Sequence, residues 1–183
     1  QDQFCSPAFI VARKDMQRSA RLVINYQKLN ELTEDVSVSL PDMGQVLQSL
    51  TQGRIFTSVD FVSAFYSVTL SPQSRHLTRF MAGQDIFEML RLPMGAKSSP
   101  ESFWRLANLM INYEVERDNN GNMFFMEDGK VKLRFDPLTG ILLYYDYLII
   151  ATPLYNTTKE TIEKHFVMVE KVLRRLSTHN AKI

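Results

Sequence analysis

Two acidic residues, Asp60 and Asp146, each lie at or near the end of an otherwise apolar, strand-like run. Asp60 closes RIFTSVD, and Asp146 is the lone acid in LLYYDYLIIAT. A charge in such a run is costly to bury unless a cation meets it. Either both carboxylates cap turns, or the two strands lie side by side and the carboxylates hold the oxygen-seeking divalent cations that catalyse phosphoryl transfer. Spacing alone does not choose between these interpretations.

Composition limits the class of protein that can carry this pair. The 183 residues, 45% of them hydrophobic, suffice for one domain or for two lobes of one domain. The formal net charge of +1 excludes a broad basic surface, so any contact with a phosphate backbone must be local. A single cysteine excludes a disulfide framework and suggests an intracellular setting. No apolar run approaches the length of a membrane span, and we expect no membrane contact.

Strand patterns precede and include the first acid. The sequence predicts strands over Phe9–Ala12 and Arg21–Tyr26, a short helix beginning near Pro41, and a strand that ends at Asp60. The AGQD tetrapeptide predicts a hairpin turn further along the chain. Strands and helices mix without strict alternation, which predicts the α+β class.

The second half of the chain predicts two longer helices. The first has Ser99 as its N-cap and continues through LMINYE, with a buried face formed by Phe103, Leu106, Ala107, Met110 and Ile111. The second starts at a capping box of Thr157 and Glu160, with a buried face formed by Ile162, Phe166, Val169, Leu173 and Leu176. Between these helices, MFFM and VKLRF predict two short hairpin strands.

An ordered series of motifs covers nearly the whole chain: SPAFIVARKD, RLVINYQKLN, FTSVDFVSAFYSVTLSP, RLPMGAKSSPESFWR, LLYYDYLIIAT and HFVMVEKVLRRLSTHNAKI. The series resembles the fingers and palm of reverse transcriptases, most closely those of Ty3/gypsy-type long-terminal-repeat retrotransposons. This resemblance implies a right-hand polymerase fold with an antiparallel palm sheet backed by helices. It places fingers at about 1–53 and 71–93 and palm at about 54–70 and 94–183, and we expect no thumb within this chain.

The resemblance also assigns roles. Asp60 and Asp146 would bind Mg²⁺ or Mn²⁺ and act as the catalytic carboxylates. The nucleotide-binding positions would be the backbone carbonyl of Phe61, the Phe65 ring beside the sugar, Arg21 and either Arg13 or Lys14 on the triphosphate, and Met94 with Gly95 against the nucleotide and template base. An RNA or DNA template-primer would be the partner.

Two departures from the family pattern bear on activity. Tyr147 stands where the family has the second Asp of its YxDD-type motif, and a phenol is uncharged near neutral pH and a poor Mg²⁺ ligand. A segment at about 116–140, which we expect to form an inserted hairpin, stands where the family needs only a few residues. This segment could meet a protein partner.

Three functional hypotheses follow. The first is a catalytically inactive domain, derived from a host-captured retroelement or paired with an active subunit, that serves as a protein- or nucleic-acid-binding module. The second is an active RNA-directed DNA polymerase that uses Asp60 and Asp146 with two divalent metals. The third is nucleic-acid binding alone, through a groove lined by Arg75, Arg79, Arg91, Lys97 and Arg105. The alternative interpretation is that these residues belong to a solvated surface of mixed charge.

Overall fold

The computed structural model describes residues 5–12, 20–35, 42–116, 133–136, 138–144, 146–179 and 181–183. Within these ranges the strands are β1 (Ser6–Ala12), β2 (Ala20–Ile24), β3 (Gly53–Asp60), β4 (Phe80–Ala82), β5 (Asp85–Phe87), β6 (Tyr113–Val115), β7 (Leu133–Phe135), β8 (Ile141–Tyr144) and β9 (Tyr147–Pro153). The helices are α1 (Gln27–Leu32), α2 (Met43–Leu50), α3 (Ala64–Ser67), α4 (Pro72–Arg75), α5 (Ser99–Asn112) and α6 (Thr158–Thr178). The α+β prediction is confirmed.

The chain divides into two compact units. Unit 1 comprises Gln1–Val38 and Ser63–Ser102, and unit 2 comprises Ser39–Val62 and Phe103–Ile183. The assignment of residues to fingers and palm stays a prediction beside this division. None of the helices in the described ranges is both long enough and apolar enough to cross a membrane.

Unit 1 contains a four-stranded mixed sheet in the order β2-β1-β4-β5. The predicted first hairpin is confirmed, with Phe9 opposite Val23 in an antiparallel pair. The AGQD turn is confirmed as well, since Ala82 pairs with Asp85 and Gly83 adopts a φ of +68°. Helix α1 was not predicted, because its six residues bury no side chain and carry no periodic apolar signal.

Unit 2 is built on a three-stranded antiparallel sheet in the order β3-β9-β8. The predicted alternation of β3 is confirmed: its residues are half-buried and exposed in turn from Gly53 to Asp60. On β9, Leu148 and Ile150 are fully buried and lie opposite Val59 and Thr57. One face of the sheet is therefore core, and α6 packs against β9 and β3.

The predicted buried face of α6 is wrong for three of its five residues, since only Leu176 is buried and Val169 is half-buried. Ile162, Phe166 and Leu173 are 42%, 68% and 37% exposed, and the buried residues are Thr161, His165, Val172, Arg175 and Leu176. Compared with the prediction, the helix is rotated about its axis, so that polar side chains with partners in unit 2 are buried. The Thr157 capping prediction holds, since its hydroxyl accepts the Glu160 N–H at 3.1 Å.

His165 illustrates why α6 buries a polar stripe. Its Nε2 lies 2.8 Å from the Thr57 hydroxyl and its Nδ1 lies 2.9 Å from the Thr152 hydroxyl. Both ring nitrogens are therefore satisfied by strands β3 and β9, and one nitrogen donates while the other accepts in the neutral ring. Desolvation by burial lowers the pKa of His165 below its usual value.

Helix α5 is shorter at its C-terminus than predicted. It ends at Asn112, and Tyr113–Val115 form strand β6 instead of a further helical turn. The Asn112 side chain donates to the Asn108 carbonyl at 2.9 Å, and the Asn112 carbonyl accepts the Asp136 N–H at 2.9 Å. These bonds end the helix, and β6 pairs with β7 through Tyr113 opposite Phe135.

The β6–β7 pair contains one of the two predicted inserted strands. Strand β7 lies within VKLRF, as predicted, but its partner β6 comes from the end of the predicted helix. The MFFM segment lies outside the described residues. At its N-terminus α5 begins at Ser99, whose hydroxyl donates to the Pro93 carbonyl at 2.6 Å, so the prediction that Ser99 is the N-cap is wrong by one residue. The predicted buried face of α5 is confirmed, with Leu106 half-buried.

A buried ion pair attaches the β6–β7 pair to α6. Arg175, whose side chain is 3% exposed, donates to Oδ2 of Asp136 at 2.7 Å and to the Asp136 carbonyl at 3.0 Å. His179 Nε2 lies 3.2 Å from the Tyr113 carbonyl, so that nitrogen carries a proton and donates. The base of the inserted segment is thus part of unit 2.

Candidate metal and nucleotide site

Asp60 and Asp146 meet at one end of the unit 2 sheet. Asp60 is the last residue of β3 and lies opposite Tyr147, the first residue of β9. The N–H of Phe61 donates to the carbonyl of Asp146 at 3.2 Å, which holds the chain after β3 beside the turn before β9. The structure therefore brings together the two acids that the sequence singled out. Their catalytic roles stay predictions.

Local sequence explains why this end of the sheet is well defined. Tyr144 pairs with Tyr147, so β8 and β9 are joined through the two residues between them, and Asp146 lies in that turn. On the other strand, Phe61 is 5% exposed and its ring packs edge-on against Phe103, with centroids 5.2 Å apart. An anchored aromatic directly after Asp60 fixes the end of β3 and leaves the Asp60 carboxylate exposed.

Tyr147 lies on the same sheet face as Asp60. Directly opposed residues of an antiparallel pair project their side chains to one face, and alternation along β9 sends Leu148 to the buried face. Tyr147 is 50% exposed, and its phenol forms no hydrogen bond with the part of the chain that the structure describes. The Tyr147 side chain is thus accessible beside Asp60, and its assignment to a catalytic position stays a prediction.

The donor set suits a hard divalent cation. Mg²⁺ is commonly held by one or two carboxylates and completes its shell with water or substrate phosphates. Asp60 and Asp146 supply two such carboxylates on adjacent segments, so they fit Mg²⁺ or Mn²⁺. No group of three or more His, Cys, Asp and Glu residues suited to a metal occurs within the described ranges. The pair is therefore the candidate centre.

Unit 1 carries most of the predicted nucleotide-binding residues. Arg21 extends from β2, and its Nη2 donates to Sδ of Met94 at 2.6 Å. Gly95 follows with a φ of +90°, a conformation that favours glycine. Phe65 lies half-buried in α3. Lys14 and its alternative Arg13 lie outside the described residues, and the roles of all these side chains stay predictions.

Asn30 was not predicted as a functional residue, and it ties α1 to the loop that holds Met94 and Gly95. Its Nδ2 donates to the Gly95 carbonyl at 2.9 Å, and its Oδ1 accepts the Lys97 N–H at 2.8 Å. The Asn30 amide therefore both donates to and accepts from the backbone of this loop, and the two hydrogen bonds hold the loop in position. The only available signal was the position of Asn30 at the end of the RLVINYQKLN motif.

The proposed basic residues of unit 1 are largely engaged. Lys97 pairs with Asp35 at 2.6 Å and Arg79 with Glu88 at 3.6 Å. The Arg91 side chain donates to the Thr69 hydroxyl at 2.7 Å, and that of Arg75 donates to the Leu70 carbonyl at 3.3 Å. Arg105 lies in unit 2 and is exposed. A basic groove formed by these residues stays a prediction.

Comparison with known proteins gives consistent matches. Residues 12–183 match the family described as reverse transcriptase (RNA-dependent DNA polymerase). The chain is 36% identical over 112 residues to the enzymatic polyprotein of Figwort mosaic virus (strain DxS), covering 60% of the chain and 17% of that protein. It is 25% identical over 181 residues to the retrovirus-related Pol polyprotein from transposon opus of Drosophila melanogaster, covering 97% of the chain and 15% of that protein.

Solved structures agree on the fold. The foamy viral protease-reverse transcriptase in complex with double-stranded DNA superimposes with a TM-score of 0.71 at 18% identity, covering 97% of this chain and 26% of that one. This likeness supports the predicted polymerase fold of fingers and palm. The chain spans 5 to 17% of the length of the first three curated relatives it matches.

Proposed function

The chain belongs to the reverse transcriptase (RNA-dependent DNA polymerase) family, and from that membership we propose that it is a domain with a damaged metal site, which binds its partners without extending primers. One observation carries the proposal. Tyr147 lies directly opposite Asp60, where the family motif has a carboxylate. The site therefore keeps two of its usual three acids.

The missing carboxylate should affect turnover more than binding. Asp60 and Asp146 would still hold Mg²⁺ or Mn²⁺, and the bound ion would supply charge stabilisation to a transferring phosphoryl group. If the third carboxylate contributed about 3 kcal/mol to the transition state, its loss lowers the rate roughly a hundredfold. The bulk and exposure of the Tyr147 ring add to the effect, because the ring occupies space beside the acids.

The remaining parts of the proposal concern origin and partners. The motif order supports descent from a Ty3/gypsy-type retroelement, either captured by a host or paired with an active subunit, and acting inside the cell. Template-primer is the proposed nucleic-acid ligand, and the foamy viral protease-reverse transcriptase has been solved with an RNA/DNA hybrid. We further propose that the 116–140 segment binds a protein partner, with its base held to α6 by the Asp136–Arg175 pair.

A second candidate function is an active RNA-directed DNA polymerase. The adjacency of Asp60 and Asp146 favours it, because two carboxylates on neighbouring segments can bind metal without a third. In that case the arginine of β2 and the loop after Pro93 would serve the incoming nucleotide. The two candidates differ only in whether primer is extended.

Primer extension on an RNA template, first with Mg²⁺ and then with Mn²⁺, tests both. The parent chain is compared with Tyr147→Asp and with Tyr155→Asp, which adds the same charge beyond the far end of β9. We expect extension only from Tyr147→Asp, and Asp60→Asn in that background should abolish it. Robust extension by the parent, lost in Asp60→Asn, would establish the polymerase instead.

A further inference from the structure

We propose that Tyr147 is itself an acceptor in phosphoryl transfer, so that the chain attaches one nucleotide to its own phenol. The substrate class is a deoxynucleoside triphosphate, and the product is a tyrosyl phosphodiester on Tyr147. The inference rests on the proposed function, because it requires that Asp60 and Asp146 hold a divalent metal.

Placement is the first support. Tyr147 lies opposite Asp60 on one sheet face and directly follows Asp146, so its backbone adjoins both acids. The side chain is 50% exposed, and its hydroxyl is not engaged by another group of the described chain. A half-exposed phenol that forms no hydrogen bond with the described residues is available to a ligand held by the neighbouring carboxylates.

Chemistry is the second support. Polymerases join nucleotides through a hydroxyl that attacks a phosphorus atom, and tyrosine is among the side chains that form covalent intermediates. The Tyr147 oxygen would form a bond to the α-phosphorus of the triphosphate. The bond between that phosphorus and the oxygen bridging to the β-phosphorus breaks, and pyrophosphate leaves. The phenolic proton passes to water at the exposed ring, and no atom changes oxidation state.

Tethering explains how such a reaction could proceed in a site too slow for primer extension. A nucleophile held beside its target reacts as if present at an effective concentration of about 10⁵ M or more when well oriented. The phenol also needs no separate primer-binding step, which offsets part of a loss of roughly a hundredfold from the missing carboxylate. Because each chain modifies itself once, the product accumulates even when the rate is low.

The test measures covalent mass and metal binding separately. The parent chain is incubated with Mn²⁺ and each deoxynucleoside triphosphate, and the modified peptide is located by tandem mass spectrometry. We expect the gain of one nucleoside monophosphate on Tyr147. The gain should be lost in Tyr147→Phe and in Asp60→Asn, and kept in Tyr155→Phe, which removes a partly exposed phenol elsewhere in unit 2.

Mn²⁺ binding by calorimetry separates the two proposals. A parent that binds Mn²⁺ but gains no nucleotide overturns the acceptor role and leaves the proposed function standing. A parent that neither binds Mn²⁺ nor gains nucleotide overturns the acceptor role and also the part of the proposed function in which Asp60 and Asp146 still hold a metal. Modification that persists in Tyr147→Phe, or that maps to another residue, also overturns the assignment. Tyr147→Phe should bind Mn²⁺ like the parent, because the phenol is not a ligand in either proposal.

Discussion

Replacement of Arg175 by methionine should weaken unit 2 where the 116–140 segment joins it. The Arg175 guanidinium makes hydrogen bonds to the carboxylate and the carbonyl of Asp136 at 2.7 and 3.0 Å, and a longer one to the Ile111 carbonyl at 3.4 Å. Methionine retains an apolar stem but removes all three hydrogen bonds, although the Ile111 carbonyl keeps the N–H of Leu138 as a donor at 3.3 Å. The variant tests whether this pair holds the strands β6 and β7 in place.

The size of the effect follows from burial. Breaking a fully buried ion pair by removing one partner costs about 3 to 5 kcal/mol. Arg175 is 3% exposed, whereas the Asp136 side chain is 34% exposed and can regain water. We therefore expect a loss of about 2 to 3 kcal/mol in the free energy of unfolding, the scale of charged hydrogen bonds.

Urea denaturation followed by the fluorescence of Trp104, the single tryptophan, gives the measurement for unit 2. Arg174→Met is the matched control, because Arg174 is the adjacent residue and pairs with Glu170 at 2.7 Å on the exposed face. That pair should contribute only about 0.3 to 0.5 kcal/mol. Equal losses in the free energy of unfolding from Arg175→Met and Arg174→Met would refute the reasoning. So would a double-mutant cycle in which Arg175→Met costs the same free energy in the Asp136→Ala background as in the parent.

Three further predictions concern His165, the two turn glycines and Asn30. Burial lowers the folded-state pKa of His165, so the contribution of the neutral ring to stability should be complete above about pH 6.5 and should decline as the pH falls. The decline should be at most about 1.4 kcal/mol per pH unit. Urea titrations at several pH values should show a shallower decline in His165→Gln. Gly140→Ala should lower the melting temperature more than Gly83→Ala. Both glycines have positive φ, but of the two only Gly140 would place a new Cβ against a backbone oxygen, that of Ala151, at 2.7 Å. Equal shifts in melting temperature would contradict this prediction. Asn30→Ala should reduce hydrogen-exchange protection of the Lys97 amide, whose acceptor it removes, and unchanged protection would contradict the contact.

The sequence predicted the segments whose patterns are local. The alternation in β3, the turn at Gly83 and the capping by Thr157 each depend on neighbouring residues, and each is confirmed. The prediction that Asp60 and Asp146 are adjacent depended on the family resemblance as well. The two residues are 86 positions apart in the sequence, and periodicity does not indicate which strands pair. What the resemblance assigns beyond adjacency, the catalytic and nucleotide-binding roles, stays a prediction.

The failures share a physical cause: long-range polar contacts outweighed the local hydrophobic pattern. The face of α6 was misjudged because His165 and Arg175 find partners in distant parts of unit 2, whereas Phe166 is largely exposed. Helix α5 was extended too far because the chain that follows Asn112 is stabilised by pairing with residues about twenty positions later. Neither partner could be read from the segment itself.

The closure between Asn112 and Asp136 has a practical consequence for protein engineering. Their backbones are joined by a hydrogen bond of 2.9 Å, so the two ends of the segment from Tyr113 to Phe135 lie close together. Chain length beyond such a closed base carries only a small entropic cost, about 0.6 kcal/mol for each doubling. A fluorescent reporter or an affinity tag grafted beyond β6 should therefore leave the end of the sheet that carries Asp60 and Asp146 undisturbed, which makes this segment a suitable attachment point for following the chain in cells.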